Sequence, residues 1–350
     1  MKRSATSIGA AVLLALGVPH VAAAPAGDAQ DRPAVAARLV ERAVLLGAAQ
    51  AGARIVAVGE RGLIALSDDG QRWTQAPTPV SVTLTAVRFA DADHGVAVGH
   101  AGTVLATIDG GRSWARKLDG RRLAQLALET ARSGSDARAL KEAERLVADG
   151  ADKPLLDVLM LDAKRWIVVG AYGFAFATDD GGERWVSWMP RLDNPKGLHL
   201  YTLRRQGETL LMAGEQGLVQ QSNDGGRSFR RLETPYKGSF FSAEFTGANE
   251  IVLAGLRGNV WRSADGGASW AAVASPMPVS ITATAIGADG TLLAANQAGF
   301  VMALRGDRLV PLNRAPLPPL NGLLPRTGAP LLALGVQGVV PLDLSSGSPK

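Results

Sequence analysis

A glycine pair spaced by two residues recurs along this chain, and that recurrence constrains the fold more than any local propensity does. The copies are Gly59-Glu-Arg-Gly62, Gly99-His-Ala-Gly102, Gly170-Ala-Tyr-Gly173, Gly214-Glu-Gln-Gly217 and Gly255-Leu-Arg-Gly258. Two worn copies follow, Asn296-Gln-Ala-Gly299 and Gly335-Val-Gln-Gly338. Every step but one is about 41 residues, the length of one propeller blade. The exception runs from Gly99 to Gly170 and contains the extra stretch 119–150.

Each copy has the same grammar. An alternating strand such as Leu84-Thr-Ala-Val-Arg-Phe89 leads through a polar turn to a short apolar strand, Gly95-Val-Ala-Val98. After the glycine turn a third strand, Thr103-Val-Leu-Ala-Thr107, runs into Asp109-Gly-Gly-Arg-Ser-Trp114, where a fourth begins. Period-two segments broken by glycine turns, four to a unit, predict an all-β, seven-bladed β-propeller. The expected blades lie near 43–75, 83–118, 155–188, 200–232, 240–273, 281–312 and 321–344. The last lacks a fourth strand, so residues 34–40, Ala-Val-Ala-Ala-Arg-Leu-Val, are expected to supply it and latch the ring. Between blades two and three, residues 119–150 read as a helical hairpin. Leu123, Leu126 and Ala127 mark one stripe and Leu140, Ala143 and Val147 the other, with Ser133-Gly-Ser-Asp136 as the break.

The third-to-fourth turn is the most specific motif. Thr107-x-Asp109-Gly-Gly-x-x-Trp114 returns at Thr178, Asp180 and Trp185, at Ser222, Asp224 and Phe229, and at Ser263, Asp265 and Trp270. A turn one residue shorter carries Asp69 and Trp73. The carboxylate can accept N–H groups across its own turn, the glycines permit positive φ, and the aromatic can pack between blades. This pattern resembles the Asp-box, or BNR, repeat of sialidases and several non-enzymatic propellers. Because the aspartates repeat from blade to blade, they read as turn staples and not as catalysts or metal ligands.

The first 26 residues read as a secretory signal peptide: Lys2 and Arg3, an apolar run from Ile8 to Val18, then small residues to Ala26. The expected destination of the remainder, 27–350, is the periplasm. There are no cysteines, which excludes disulfides, a thiol nucleophile and a Cys-ligated metal. The net charge of +5 comes without a basic run, which weighs against a nucleic-acid partner. His94, His100 and His199 are too scattered for a metal motif, and no cofactor is expected.

Strand order sorts the loops. Turns after first and third strands share one face, which therefore holds the Asp-boxes. The Gly-x-x-Gly turns and the blade-to-blade connections share the other. Two connections there are unusual, Leu192-Asp-Asn-Pro-Lys-Gly-Leu-His-Leu-Tyr201 and Pro235-Tyr-Lys-Gly-Ser-Phe-Phe241. With the glycine-turn tips they give a candidate partner-binding set of Arg61, Tyr172, Asn194, Lys196, His199, Glu215, Tyr236, Lys237 and Arg257, since aromatics and arginines serve as interface anchors.

Together with the phrases Ala213-Gly-Glu-Gln-Gly217 and Gly255-Leu-Arg-Gly-Asn259, these features make residues 35–344 similar to bacterial relatives of the photosystem II assembly and stability factor. The resemblance implies a non-catalytic, exported propeller that binds a membrane-protein complex as an assembly or accessory factor and is a monomer when unbound. It also implies a looser kinship with accessory proteins of RND-type exporters. The alternative is a sialidase-like glycoside hydrolase or carbohydrate-binding propeller. A sialidase site needs an arginine trio and a tyrosine nucleophile. The chain has three tyrosines, Tyr172, Tyr201 and Tyr236, and no Arg-Ile-Pro opening signature. No catalytic residue is therefore assigned.

Overall fold

The computed structural model describes residues 28–343, so the expected signal peptide lies outside the described residues. The strands form seven antiparallel sheets, six of four strands and one of three, each ordered as in the chain. The innermost strands are Leu45–Ala51, Leu84–Phe89, Leu155–Met160, Leu200–Gln206, Phe240–Gly247, Ile281–Ile286 and Leu320–Leu324. Each touches the next, and the last touches the first, which closes a ring of seven blades. Second strands such as Gly95–Gly99 and Trp166–Gly170 are buried along their whole length. Neighbouring blades cover both of their faces, which is why they read as unbroken apolar runs.

The glycine pairs have two separate jobs. The first glycine of each pair is extended, but a Cβ on Gly59 would sit 1.9 Å from the Val44 carbonyl oxygen, and one on Gly214 2.0 Å from that of His199. The next residue donates its N–H to the same carbonyl, Glu60 to Val44 and Glu215 to His199. The second glycine has positive φ, as at Gly62 (75°) and Gly217 (72°). In the worn copy, Asn296 substitutes its side chain: Oδ1 accepts the N–H groups of Ala298 and Phe300.

The Asp-box aspartates staple their own turns. Asp109 Oδ1 accepts from the Thr107 hydroxyl at 2.8 Å and the Ser113 N–H at 3.0 Å, while Trp114 Nε1 donates to the Gly111 carbonyl at 2.9 Å. The hydroxyl and N–H bonds to the carboxylate recur at Asp180, Asp224 and Asp265, and the indole bond recurs at Trp185. The Asp265 carboxyl is held down to about 2 by the Ser269 hydroxyl and N–H. The aromatic of each box wedges against the preceding blade, Trp114 among Val56 and Leu66, Trp73 beside Leu334 and Val339.

Between the outer strand of blade two and the inner strand of blade three stand helices α1 (Gly120–Ser133) and α2 (Ala137–Asp149). Asp119 and Asp136 cap them, each accepting backbone N–H groups of the first turn. Leu123, Leu126 and Ala127 are buried as their spacing requires, as is Ala143. On α2 the buried leucine is Leu146, while Leu140 and Val147 are half-buried.

The expected closing strand at 34–40 is not formed. Ala34 N–H bonds to the Thr78 carbonyl and Ala37 N–H to Gln75 Oε1, so this segment lies along blade one. Among the described residues blade seven keeps three strands. Two causes act together. Val35 and Leu39 are 83% and 53% exposed, so the segment gains little by burial. Pro341, in the last strand of blade seven, pairs with Leu332 and has no N–H to offer along the free edge. The ring is joined instead by side chains. Asn321 Nδ2 donates to the Leu45 carbonyl at 3.0 Å, and Val40, Leu45, Leu63 and Leu334 share one apolar cluster.

Candidate partner-binding face

The Gly-x-x-Gly turns abut the blade connections, as strand order demands. A Cβ on Gly102 would meet Gly120 at the start of α1, and one on Gly217 would meet the Tyr236 carbonyl. The residue before the second glycine is left-handed in five blades: Arg61 (φ 55°), Ala101 (54°), Tyr172 (57°), Gln216 (52°) and Arg257 (57°). A non-glycine residue in that region is uncommon. Here five such side chains are presented at equivalent places around one face. Arg61 and Arg257 are exposed, and Tyr172 is 46% exposed.

From Tyr172 a row of rings runs toward the axis. Its ring centroid is 5.4 Å from that of His199, His199 is 6.1 Å from Tyr201, and Tyr201 is 5.2 Å from Phe241. Lys153 Nζ lies 5.0 Å from the Tyr172 centroid. Tyr201 and Phe241 are the second residues of their inner strands, at a β-bulge that recurs in every blade, next to the glycine turn. A bulge re-aims a side chain, and the turn geometry fixes where it falls. Burial, then the Glu215 charge, pushes the Tyr201 hydroxyl above its usual range.

Several expected site residues turn out to hold the face together. Asn194 both donates to and accepts from the Leu198 backbone, at 2.9 and 3.0 Å. Glu215 Oε2 accepts the His199 N–H at 3.2 Å. The same oxygen lies 3.1 Å from His199 Nδ1, but the pair is not aligned as a hydrogen bond. The Tyr236 hydroxyl donates to the Leu256 carbonyl at 3.1 Å while its ring packs on Phe240. Lys196 and Lys237 are exposed, and Lys237 reaches the Thr234 carbonyl at 3.3 Å. The rings of Tyr172, His199, Tyr201 and Phe241 therefore form one row across blades three to five, with Arg257 on the glycine turn of blade five and Arg61 on that of blade one.

Lys153 belongs to this ridge although no sequence pattern marks it. It sits one turn after α2 and is buried against Asp149 and Asp152. A charged ladder between the inner strands was equally unforeseen. Arg88 of blade two bonds Asp157 of blade three, Asp157 bonds Arg204 of blade four, and Arg204 bonds Glu244 of blade five. Alternation in each strand hides such a ladder, because its members come from four different repeats.

The family model described as "Photosynthesis system II assembly factor YCF48" matches residues 65–132 and 138–308. A curated protein described as "Photosystem II assembly lipoprotein Ycf48", from Synechococcus sp. (strain CC9902), is 32% identical over 77 residues, which is 22% of this chain and 23% of that protein. A solved structure described as "YCF48 bound to D1 peptide" has a TM-score of 0.64 at 15% identity, covering 91% of this chain and 99% of that one. YCF48 from Cyanidioschyzon merolae gives 0.63 at 16% identity, over 85% and 95%. At those identities the structures speak to the fold alone.

Proposed function

The chain belongs to the photosystem II assembly factor YCF48 family, and on that premise we propose that it is an exported, non-catalytic propeller that docks on a membrane-protein complex through its Gly-x-x-Gly face. The observation that supports this most is the row of Tyr172, His199, Tyr201 and Phe241 on a face that also presents the exposed arginine tips Arg61 and Arg257. Aromatic rings and arginines dominate the energetics of protein interfaces. The structural relative described with a bound D1 peptide suggests the form of ligand, a peptide segment of a membrane-protein subunit. The client we infer, from the looser resemblance to accessory proteins of RND-type exporters, is such an exporter.

The curated relative is described as a lipoprotein, whereas this chain has no cysteine to carry a lipid. No helix among the described residues is long and apolar enough to cross a membrane. Affinity capture of the tagged protein from detergent-solubilised membranes tests the reading. A defined membrane-protein complex should co-purify, and should be lost when Tyr172 and Arg257 are both replaced by Ala. Turnover on a panel of glycosides, with no complex recovered, would overturn it.

A further inference from the structure

The second residue of each inner strand, at the recurring bulge, has one of two jobs. In blades two, six and seven it clips the next blade. The Thr85 hydroxyl donates to the Leu155 carbonyl at 2.8 Å, the Thr282 hydroxyl to that of Leu320 at 2.8 Å, and Asn321 Nδ2 to that of Leu45 at 3.0 Å. Blades three, four and five give up the clip in succession, as blade one does with Leu46. Their residues at this place are Leu156, Tyr201 and Phe241, all half-buried, and none makes that bond. Three neighbouring seams thus exchange a hydrogen bond for an apolar and aromatic arc on the Gly-x-x-Gly face.

The row of rings that includes this arc has two unlike ends. At one end the Tyr172 ring is matched by a cation of the chain itself, the Lys153 ammonium, which the Asp149 and Asp152 carboxylates hold. At the other end the rings and the carboxylate are present and the cation is not. Tyr201 and Phe241 meet at 74° with centroids 5.2 Å apart, and in an edge-to-face pair the ring that offers its edge keeps both faces clear of the other. Burial first, and then the Glu215 charge, raise the Tyr201 hydroxyl, so this carboxylate lies beside the same ring. The Glu215 side chain is 32% exposed; its Oε2 accepts the His199 N–H, and its Oε1 has no hydrogen-bond partner among the described residues. No lysine or arginine among those residues pairs with it, and the His199 ring nitrogen nearby is not aligned to do so.

We propose that Tyr201, Phe241 and Glu215 together form a pocket for an arginine side chain of the docked partner segment. The pocket presupposes the docking face proposed above and adds the chemistry that the client must present. Ring faces and a carboxylate both favour a cation. A guanidinium is flat, so it stacks on a ring while its N–H groups point in plane to Glu215 Oε1, which an ammonium does less well. The aliphatic stem of the arginine is free to lie along the apolar arc. An acidic segment would meet the Glu215 charge at this end of the row and is disfavoured there.

The probe is a labelled peptide, acetyl-Gly-Leu-Arg-Leu-Gly-amide, compared with the same peptide carrying citrulline, the neutral isostere of arginine. Fluorescence anisotropy, titrated with the full propeller, should show saturable binding of the arginine peptide and binding of the citrulline peptide weaker by about tenfold. Glu215→Gln keeps an oxygen for the His199 N–H, so its melting curve should match the parent while the preference for arginine disappears. Phe241→Leu should weaken the arginine peptide, whereas Tyr201→Phe, which keeps the ring, should bind it as the parent does. Absence of saturable binding, equal binding of the two peptides, or a preference untouched by Glu215→Gln would overturn the proposal. The probe is not the client, so a complex still captured from membranes alongside such a result would leave the docking face standing and remove the arginine pocket alone.

Discussion

Arg204 Nη1 lies 2.8 Å from the Asp157 carboxylate of the neighbouring blade, and its Nε lies 3.0 Å from Glu244 of the next. Asp157 also accepts from Arg88 Nη2 at 3.0 Å and from the N–H groups of Leu203 and Val158. One carboxylate, 5% exposed, therefore ties three blades at the axis. Burial pushes its pKa up, but the guanidiniums of Arg88 and Arg204 and the two N–H groups outweigh burial and hold it below the usual range.

Asp157→Ala should destabilise the protein by roughly 3–5 kcal/mol, the cost of leaving a buried partner charge unanswered. The pH dependence has a definite sign. A carboxyl whose folded pKa is depressed contributes stability that is fully present above its unfolded value, about 3.9. That contribution is lost as pH falls through the lower folded value. Denaturant midpoints should therefore fall more steeply below about pH 4 in the parent than in Asp157→Asn. Equal slopes would mean the ladder is not the acid-sensitive element.

Trp114→Ala and Trp185→Ala should each cost about 3–5 kcal/mol, since both rings are buried wedges and neither lies on the ridge face. Thermal melts read this directly. An unchanged melting temperature in both variants would mark the Asp-box aromatics as surface decoration.

The fold was legible because its unit is repeated. The glycine turns, the Asp-box and four strands per unit each recur often enough that no single position had to be interpreted alone. The helical hairpin was legible from its two apolar stripes and from the break at Ser133-Gly-Ser-Asp136, where Asp136 caps the second helix; the Asp119 cap of the first helix was not read. Closure was misread because strand propensity in 34–40 was weighed without its partner. Pro341, on the strand it would have paired with, removes one donor from that ladder. The ridge was half-legible. Tyr172 stands at a glycine-turn tip and His199, Tyr201 and Phe241 in the two unusual connections, but the sequence does not show that the bulges bring these rings into one row. Tyr236, expected among the partner-binding residues, ties its loop to Leu256 through its hydroxyl.

Removing residues 28–37 should lower the melting temperature but leave the ring monomeric. The segment contributes a buried Gln30, a bond from Arg116 to the Gln30 carbonyl, and ion pairs of Asp28 and Asp31 with Arg121. None of these pairs blade seven to blade one. Size-exclusion chromatography with light scattering checks it. Aggregation through blade seven would show that the segment guards the free edge after all.

The ridge itself calls for a comparison of faces. Arg257 sits on a left-handed turn, with its backbone N–H on the Ser280 hydroxyl at 3.3 Å, so its side chain has no part in holding that turn. Tyr172 holds the same position in blade three, in contact with the Lys153 ammonium and the His199 ring. Truncating either side chain keeps its turn glycines and should leave the melting temperature nearly unchanged. Binding to the membrane-protein partner should weaken by 1 kcal/mol or more per residue if these are central anchors. Arg112→Ala, on the Asp-box face, is the matched control, and its side chain reaches only the Asp109 carbonyl of its own turn at 2.8 Å. Surface plasmon resonance on the captured complex compares the three variants. Loss of binding in Arg112→Ala, with Arg257→Ala and Tyr172→Ala unaffected, would place the client on the opposite face.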